Sequence, residues 1–284
     1  MYHYFKFSYY LCSMKKRKLF KSTSLERFNN RFKSDADCYE YLAAIKWEAD
    51  GFVCRKCGNT NYCAGTTPSS RRCTRCKHTE SVTAGTMFNK LRFSILTAFR
   101  ILFDLCAEED GAPTTGLSEK LGLRQKTVWE FKQKVQQATD KIDIVPMNGT
   151  IITDSICVGE QDERIIVALE VLDNGEIGHG YGQLVSSYSP DSFALFIKEH
   201  ISETANVVIS QEKGNESLSQ MMDIHTANLK KWLFGVHRHC SIQRLQGYLN
   251  EYYFRFNSRA SKAARFDTII STMVRHQSSQ AERP

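Results

Sequence analysis

Four of the ten cysteines are spaced as ligands for one metal ion. Cys54 and Cys57 form one Cys-x-x-Cys pair, and Cys73 and Cys76 form a second pair fifteen residues later. Each pair makes a tight turn that can present two thiolates, and two such turns complete the tetrahedral sulfur shell that zinc prefers. Because a closed four-sulfur site leaves no position for a substrate, we expect this zinc to be structural. Cys63 lies between the pairs and could substitute as a ligand.

The distribution of charge indicates a polyanionic partner. The chain of 284 residues has a formal net charge of +7. Residues 14–33 and 54–100 are strongly basic, residues 149–212 are strongly acidic, and the chain is basic again from residue 228. Basic segments around an acidic one favour nucleic acid as the partner, although solvated surface charge without a partner would give the same counts.

The N-terminal segment lacks the pattern of a targeting signal. His3 and Lys6 interrupt its aromatic run, and the basic cluster at 15–18 follows that run instead of preceding it. We therefore predict neither a signal peptide nor a membrane span, and we expect a cytoplasmic protein. The metal-binding use of cysteine fits a reducing compartment. Met14 directly precedes the basic cluster and is a candidate initiator.

Helices are predicted on both sides of the cysteines. Between residues 24 and 47 apolar side chains recur at helical spacing, with a polar break at 33–37, which predicts two short helices. We expect them to cover one face of the zinc module, since such a module buries little by itself. After the last cysteine, residues 78–88 are β-branched and then turn-like, and residues 91–105 predict a strongly apolar helix.

Residues 114–131 have the pattern of a helix-turn-helix. Leucines would pack the first helix, and Gly122 would supply a turn with positive φ. The second helix would then begin with four side chains able to reach base edges in a DNA groove: Arg124, Gln125, Lys126 and Thr127. A plain helical hairpin with a polar surface fits the same pattern.

From residue 149 the periodicity changes to that of a sheet. The predicted elements are strands at 150–158, 164–172 and 177–185, a helix from 189 to 201, a fourth strand at 206–210, and helices at 222–235, 242–257 and 260–276. Three antiparallel strands, a helix and a returning strand are the order of a ribonuclease-H-like core.

Asp154 stands in the middle of the first predicted strand. In a ribonuclease-H-like core, a carboxylate there is joined by one after the fourth strand and one on a following helix. Together they hold two metal ions for phosphodiester cleavage and transfer. An exposed strand carboxylate without that role is the plain alternative.

The chain resembles bacterial insertion-sequence transposases of the ISXO-like type. The N-terminal similarity consists of the helical lead, the cysteine ribbon, Ser81-Val-Thr-Ala-Gly-Thr86 and the helix-turn-helix. At the C-terminal end it consists of Gly235-Val-His-Arg-His239, residues 245–251 and Phe254-Arg-Phe-Asn257. The resemblance implies a zinc ribbon before a DDE ribonuclease-H-like domain, Mg²⁺ or Mn²⁺ in an active enzyme, double-stranded DNA at transposon ends as partner, and self-association. It also implies a bacterial, nucleoid-associated location.

The acidic residues that the resemblance implies are incomplete. Asp154 matches the first of them, but Gln211 stands where the family has its second Asp. Glu212 is the next residue and could serve instead. Neighbouring side chains of a strand face opposite ways, however, so this shift is not neutral.

The third acidic position depends on the alignment of the C-terminal segment. The longer, ungapped register places Asp223 there, with Lys230 as the family's basic residue seven positions on. Anchoring on His225 and Thr226 instead places Lys230 at the metal-binding position. The segment between Gln211 and Asp223 is shorter than in the family. The loop at 158–163 is short and acidic where the family has a Gly/Lys-rich loop.

The sequence therefore predicts a multidomain protein of the α+β or α/β class. Its expected segments are a basic N-terminal extension (1–23), a helical lead with zinc ribbon (24–88), a helix-turn-helix region (89–146), a truncated ribonuclease-H-like domain (147–276) and a tail (277–284).

Three functions remain open from the sequence. The first is a DNA-binding transposase-family protein with impaired or lost strand-transfer activity. The second is an active Mg²⁺-dependent transposase that uses Asp154, Glu212 and Asp223, with Lys230 on DNA phosphate. The third is a zinc-ribbon module that binds protein partners.

Overall fold

The computed structural model describes residues 19–48, 51–108, 111–158, 163–185, 189–210, 214–236 and 241–276. Several sequence features lie outside these ranges: Met14 and its basic cluster, most of the acidic loop at 158–163, Gln211, Glu212, His239 and the tail. In the described ranges, no helix combines the length and apolar character needed to cross a membrane.

The described helices and strands follow the order predicted from the sequence. They are α1 (Leu25–Arg31), α2 (Asp35–Glu48), β1 (Tyr62–Ala64), β2 (Arg71–Cys73), β3 (Thr79–Glu80), α3 (Ile95–Ala107), α4 (Thr114–Leu121), α5 (Gln125–Thr139), β4 (Thr150–Val158), β5 (Glu163–Val171), β6 (Ile177–Val185), α6 (Pro190–His200), β7 (Asn206–Ile209), α7 (Glu216–Val236), α8 (Ile242–Asn257) and α9 (Arg265–Arg275), with a 3₁₀ helix at Arg259–Ala264 between the last two.

The chain divides into two compact units. The described residues of the first unit are those up to 108, 114–138 and 261–276, whereas the second contains 111–113 and 139–260. Helix α9 therefore belongs to the first unit, although its sequence pattern led us to group it with the domain that begins at residue 147. A helical period identifies the apolar face of a helix but not the core that receives it.

An aromatic cluster forms the helical core of the first unit. Phe28 of α1 lies 4.7 Å from Phe103 of α3, and Phe99 lies 5.7 Å from Phe266 of α9, measured between ring centroids. The hydroxyl of Tyr41 on α2 donates a hydrogen bond to the buried Asp267 of α9. The lead helices thus pack mainly against other helices, and not chiefly against the ribbon as we expected.

The C-terminal end of α2 does contact the ribbon, a three-stranded antiparallel sheet with the order β1-β2-β3. Trp47 lies 6.4 Å from Phe52, and the guanidinium of Arg71 on β2 lies 4.6 Å from the Trp47 ring. The last turn of α2 therefore has the covering role that the sequence predicted for both helices.

A tight turn joins α4 to α5. Gly122 has φ of +64°, and the backbone N–H of Leu123 donates to the carbonyl of Ser118 at 3.0 Å. Leu117 on α4 and Val128 and Phe131 on α5 are buried. The two helices and the glycine turn therefore occur where the sequence predicted them.

The second unit is built on a four-stranded sheet with the order β6-β5-β4-β7. Strands β4, β5 and β6 are antiparallel, while β7 returns parallel to β4. Helix α6 covers one face through a core that includes Phe196 and Ile151. Helices α7 and α8 cover the other face, where Ile152 and Ile156 of β4 are buried. Since successive side chains of a strand alternate between faces, Asp154 lies on the face that α7 and α8 cover.

Helix α8 also covers the outer edge of the sheet. The side chain of Asn257 accepts from the N–H of Gly180 (2.8 Å) and donates to its carbonyl (3.0 Å). Eleven residues earlier, or about three helical turns, Gln246 accepts from the N–H of Leu184 (2.7 Å) and donates to the carbonyl of Gly182 (3.2 Å). These amides occupy backbone groups of edge strand β6 that would otherwise be open to pairing with another strand.

Glycines on β6 allow this close approach. A Cβ atom at Gly182 would overlap the ring of Tyr253, and one at Gly180 would crowd Tyr253 and Phe256. Because Gly180 and Gly182 face the same side of the strand, α8 can bring its aromatic residues directly against the backbone.

Replacing Gln246 by alanine tests the edge contact. We expect Gln246→Ala to lower the free energy of unfolding by about 1–2 kcal/mol, because two partly buried backbone groups lose their partner. Urea denaturation of the purified protein measures this change. The exposed Gln220 on α7 is the matched control, and Gln220→Ala should change stability by less than about 0.5 kcal/mol. Equal stability of the two variants would contradict the proposed role of Gln246.

Candidate zinc centre and acidic site

The four predicted ligands come together in the ribbon. The Sγ atoms of Cys54, Cys57, Cys73 and Cys76 all lie within 4.8 Å of one another. The distance from Cys54 to Cys76 is 3.5 Å, and that from Cys57 to Cys73 is 3.6 Å. Tetrahedral zinc with bonds of about 2.3 Å separates its sulfurs by about 3.8 Å. The geometry therefore fits one zinc ion held by four thiolates.

The two cysteine turns have the same backbone design. The N–H of Gly58 donates to the carbonyl of Cys54 at 2.8 Å, and the N–H of Lys77 donates to the carbonyl of Cys73 at 3.1 Å. Both residues follow the first cysteine of their pair by four positions, and both have positive φ, +71° for Gly58 and +61° for Lys77. This repeated turn aims the two thiols of each pair at a common centre.

The environment of Cys73 favours the thiolate that zinc requires. Burial raises the pKa of this thiol. Hydrogen bonds from the N–H of Cys76, the side chain of Asn59 and the N–H of Arg75 outweigh that effect and lower the pKa to about 6. The Asn59 amide nitrogen lies 3.4 Å from the sulfur.

Cys63 does not join the group. It is exposed on β1, where its thiol lies 3.6 Å from the carbonyl oxygen of Arg72. Within the described parts of the chain, the four-cysteine group is the one cluster of at least three His, Cys, Asp or Glu side chains with metal-binding spacing.

A buried carboxylate joins the first cysteine turn to α2. Oε1 of Glu80 lies 3.1 Å from both the ammonium of Lys46 and Nε of Arg55. Burial lowers the pKa of Lys46, while the charge of Glu80 and its hydrogen bond oppose that change. Glu80 is the sole acidic residue in the basic stretch 54–100, which was the sequence signal for this contact that we did not use.

The segment Ser81-Val-Thr-Ala-Gly-Thr86 also binds the two cations that pair with Glu80. Lys46 donates to the carbonyls of Ser81 (3.0 Å) and Ala84 (2.6 Å), and Arg55 donates to that of Ala84 (3.1 Å). Gly85 has φ of +69°, and a Cβ atom there would overlap the Arg55 guanidinium. This family-like motif therefore has a physical role as the turn that receives two cations.

In the second unit, the end of β7 lies beside Asp154. Oδ2 of Asp154 accepts a hydrogen bond from the hydroxyl of Ser210 at 2.7 Å, and Oδ1 accepts from the N–H of Ser155 at 2.7 Å. Ser210 is buried, and its own N–H donates to the carbonyl of Thr153 at 3.0 Å. Sequence analysis missed Ser210, although it directly precedes the position where a second acid was sought.

Asp223 and Lys230 lie on α7, which packs against β4. Asp223 is exposed and Lys230 is partly buried. Seven residues are two helical turns, so both side chains lie on one side of the helix. Asp154 and Asp223 do not form a group of three with another His, Cys, Asp or Glu in the described residues, and Glu212 lies outside them.

His225, the alternative anchor for that segment, is a core residue. It is buried between aromatic rings, 4.8 Å from Phe256, and its Nε2 lies 3.3 Å from the hydroxyl of Tyr253. Burial, with a smaller effect of Arg259, lowers the pKa of His225 to about 4. It is therefore neutral near pH 7.

The four residues predicted to contact DNA bases lie together at the start of α5. Arg124, Gln125 and Lys126 are exposed, whereas Thr127 is partly buried. The N–H of Thr127 donates to the carbonyl of Arg124 at 2.9 Å, which marks the first turn of the helix. Three polar side chains are thereby presented on one exposed helix end.

Removing one cysteine of the group tests the zinc centre. Cys54→Ser should abolish bound zinc, from about one ion per chain to almost none, and lower the melting temperature, because three sulfurs do not close the tetrahedral shell. Metal analysis after dialysis measures the zinc. Cys63→Ser is the control and should retain the metal. Unchanged zinc and melting in Cys54→Ser would refute the assignment.

Two protein-family models match the chain. Residues 33–79, which contain all four cysteines, match the transposase zinc-ribbon domain. Residues 161–257, which contain Asp223 and Lys230 but not Asp154, match the ISXO2-like transposase domain. Searches of curated proteins and of solved structures found no match. Since both matches name the same type of protein and occur in the order that the family requires, the chain belongs to the ISXO2-like transposases of the IS1595 type.

Proposed function

We propose that this protein is a DNA-binding transposase in which DDE strand-transfer activity is impaired or lost. The observation that carries the proposal is the hydrogen bond from Ser210 to Asp154. It holds the end of β7 next to the first acidic residue, and the family has its second acid just after that strand. In this chain Gln211 stands at that position.

An amide at this position weakens a two-metal site. Two divalent ions about 4 Å apart repel each other, and the surrounding carboxylates must offset that repulsion. Exchanging Asp for Gln removes one negative charge and leaves a neutral amide oxygen, a poorer ligand for Mg²⁺. Ser210 also occupies one oxygen of Asp154. We therefore expect weak ion binding and little or no turnover.

The sheet of the second unit supports a ribonuclease-H-like core. Three antiparallel strands are followed by α6 and by β7, which returns parallel to β4. This is the order on which the family arrangement depends, with the first acid on the central strand and the second after the returning strand.

Helices α4 and α5 support DNA binding. Their short glycine turn and buried Leu117, Val128 and Phe131 match a helix-turn-helix. The exposed residues at the start of α5 then have the position of groove contacts. Such a protein would act on transposon ends, as a homo-oligomer, where bacterial DNA lies in the cytoplasm and nucleoid.

An active transposase is the second candidate. Asp154 and the helix that carries Asp223 share one face of the sheet, which favours a site where those two carboxylates cooperate. Glu212 would then supply the third carboxylate, and Lys230 would contact DNA phosphate.

Activity on the DNA ends of the insertion sequence that encodes the protein distinguishes the impaired transposase from the active one. We expect the zinc-loaded protein to bind these ends in Mg²⁺ or Mn²⁺ without cleaving or joining them, because the second acid is missing. Gel assays of cleavage and strand transfer, with binding followed in parallel, measure both. Cleavage that disappears in Asp154→Ala would establish the active transposase instead. Failure to bind any duplex at any salt concentration would favour a protein-binding ribbon.

Lys126→Ala tests the DNA-binding helix. Loss of a groove contact should weaken binding to the end sequence by about 1–3 kcal/mol. Fluorescence anisotropy with labelled duplex measures the affinity. Lys198 is exposed on α6 within the acidic segment, so Lys198→Ala is the control that removes the same charge elsewhere. Equal affinities for Lys126→Ala and wild type would exclude this placement of the recognition helix.

A further inference from the structure

The cations of the zinc ribbon fall into two groups. Arg55 and Arg71 are used within the first unit. Arg55 pairs with Glu80, and the guanidinium of Arg71 lies 4.0 Å from the ring of Tyr62 and 4.6 Å from that of Trp47. These contacts hold the ribbon strands and the end of α2 together.

The second group lies on the second cysteine turn. Arg72, Arg75 and Lys77 are all exposed. Nε of Arg72 donates to the carbonyl of Lys77 at 3.4 Å, and the ammonium of Lys77 donates to the carbonyl of Thr74 at 2.7 Å. Two positive charges, those of Arg72 and Lys77, are thus held against one short turn of backbone, and exposed Arg75 lies within the same turn. Lys56 occupies the position in the first turn that Arg75 occupies in the second, and it too is exposed.

Lys77 stands where glycine would be easier to accommodate. Its φ of +61° is in the left-handed region, which glycine adopts without the steric cost that a side chain adds. The first turn has Gly58 at the equivalent position. The second turn therefore carries a charged side chain at a position where the same type of backbone turn accommodates a glycine.

Residues 54–100 supply little negative charge to oppose these cations. Glu80, the sole acidic residue between 54 and 100, is buried and paired with Lys46 and Arg55. The exposed surface of the second turn is consequently positive. Closely spaced cations on a small rigid turn match the phosphates of a DNA backbone, which position a protein without specifying sequence.

We propose that the second cysteine turn, through Arg72, Arg75 and Lys77, is a phosphate-binding surface for duplex DNA, additional to the start of α5. The inference rests on the proposed DNA-binding function. It assigns the ribbon an electrostatic contact that does not depend on base sequence, whereas α5 supplies the contacts that do.

Lys77→Gly separates this role from folding. The variant removes one charge and relieves the positive-φ strain, so zinc content and melting temperature should be retained or raised. Affinity for duplex should fall roughly three- to tenfold at moderate salt, and the slope of log affinity against log salt should decrease by about 0.9. The loss should be equal for the end sequence and an unrelated duplex. Arg75→Ala should give the same pattern.

Lys90→Gly is the matched control. Lys90 is also exposed and has φ of +56°, but it lies outside the cysteine turns. Its replacement removes the same charge and relieves the same kind of strain. The affinity for duplex DNA should change by no more than about twofold, which is less than the change expected from losing one phosphate contact.

The possible failures can be told apart. If wild type binds DNA and Lys126→Ala weakens it, while Lys77→Gly and Arg75→Ala bind as wild type does, the ribbon surface is refuted and the proposed function stands. Equal losses in Lys77→Gly and Lys90→Gly, or loss of zinc in Lys77→Gly, would also refute it. If wild type binds no duplex, the proposed function itself fails.

Discussion

The ribbon depends on four thiols converging on one point. Its three strands contain only two or three residues each, and β1 is exposed throughout. So small a sheet buries little apolar surface, and a metal ion shared by the four sulfurs would add stabilisation. The surrounding contacts extend this centre. Arg55 lies inside the first cysteine turn, and its pairing with Glu80 connects that turn to Lys46 of α2.

As the ribbon depends on its four thiols, the acidic site of the second unit depends on the parallel pairing of β7 with β4. It brings Ser210 to Asp154. The contacts that hold this register are made by residues up to Ser210, so they do not depend on the identity of the residue that follows.

The C-terminal segment shows how a family signature can have a structural cause. Gln246 and Asn257 in α8 bind the backbone of edge strand β6, and Tyr253 packs where Gly180 and Gly182 leave room. The buried pair of Glu251 and Arg255, 3.1 Å apart, lies on the same helix. Contacts of polar residues in this segment thus protect the sheet edge and support helix packing.

The sequence by itself indicated the elements and the four cysteines that lie together in the ribbon. Cys54, Cys57, Cys73 and Cys76 were identifiable because metal ligation imposes a spacing that is local in the chain. The strands at 150–158 and 177–185 and helix α8 were predicted with the bounds that the structure has, since alternation and helical period are also local. Tertiary structure decided the partners of these elements. The packing of Phe266 among aromatic residues of the first unit, the bond from Ser210 to Asp154, and the use of Glu80 by Lys46 and Arg55 all join residues far apart in sequence. Periodicity indicates which face of a helix or strand is apolar or charged. The contacts of that face depend on how the other helices and strands are arranged in three dimensions.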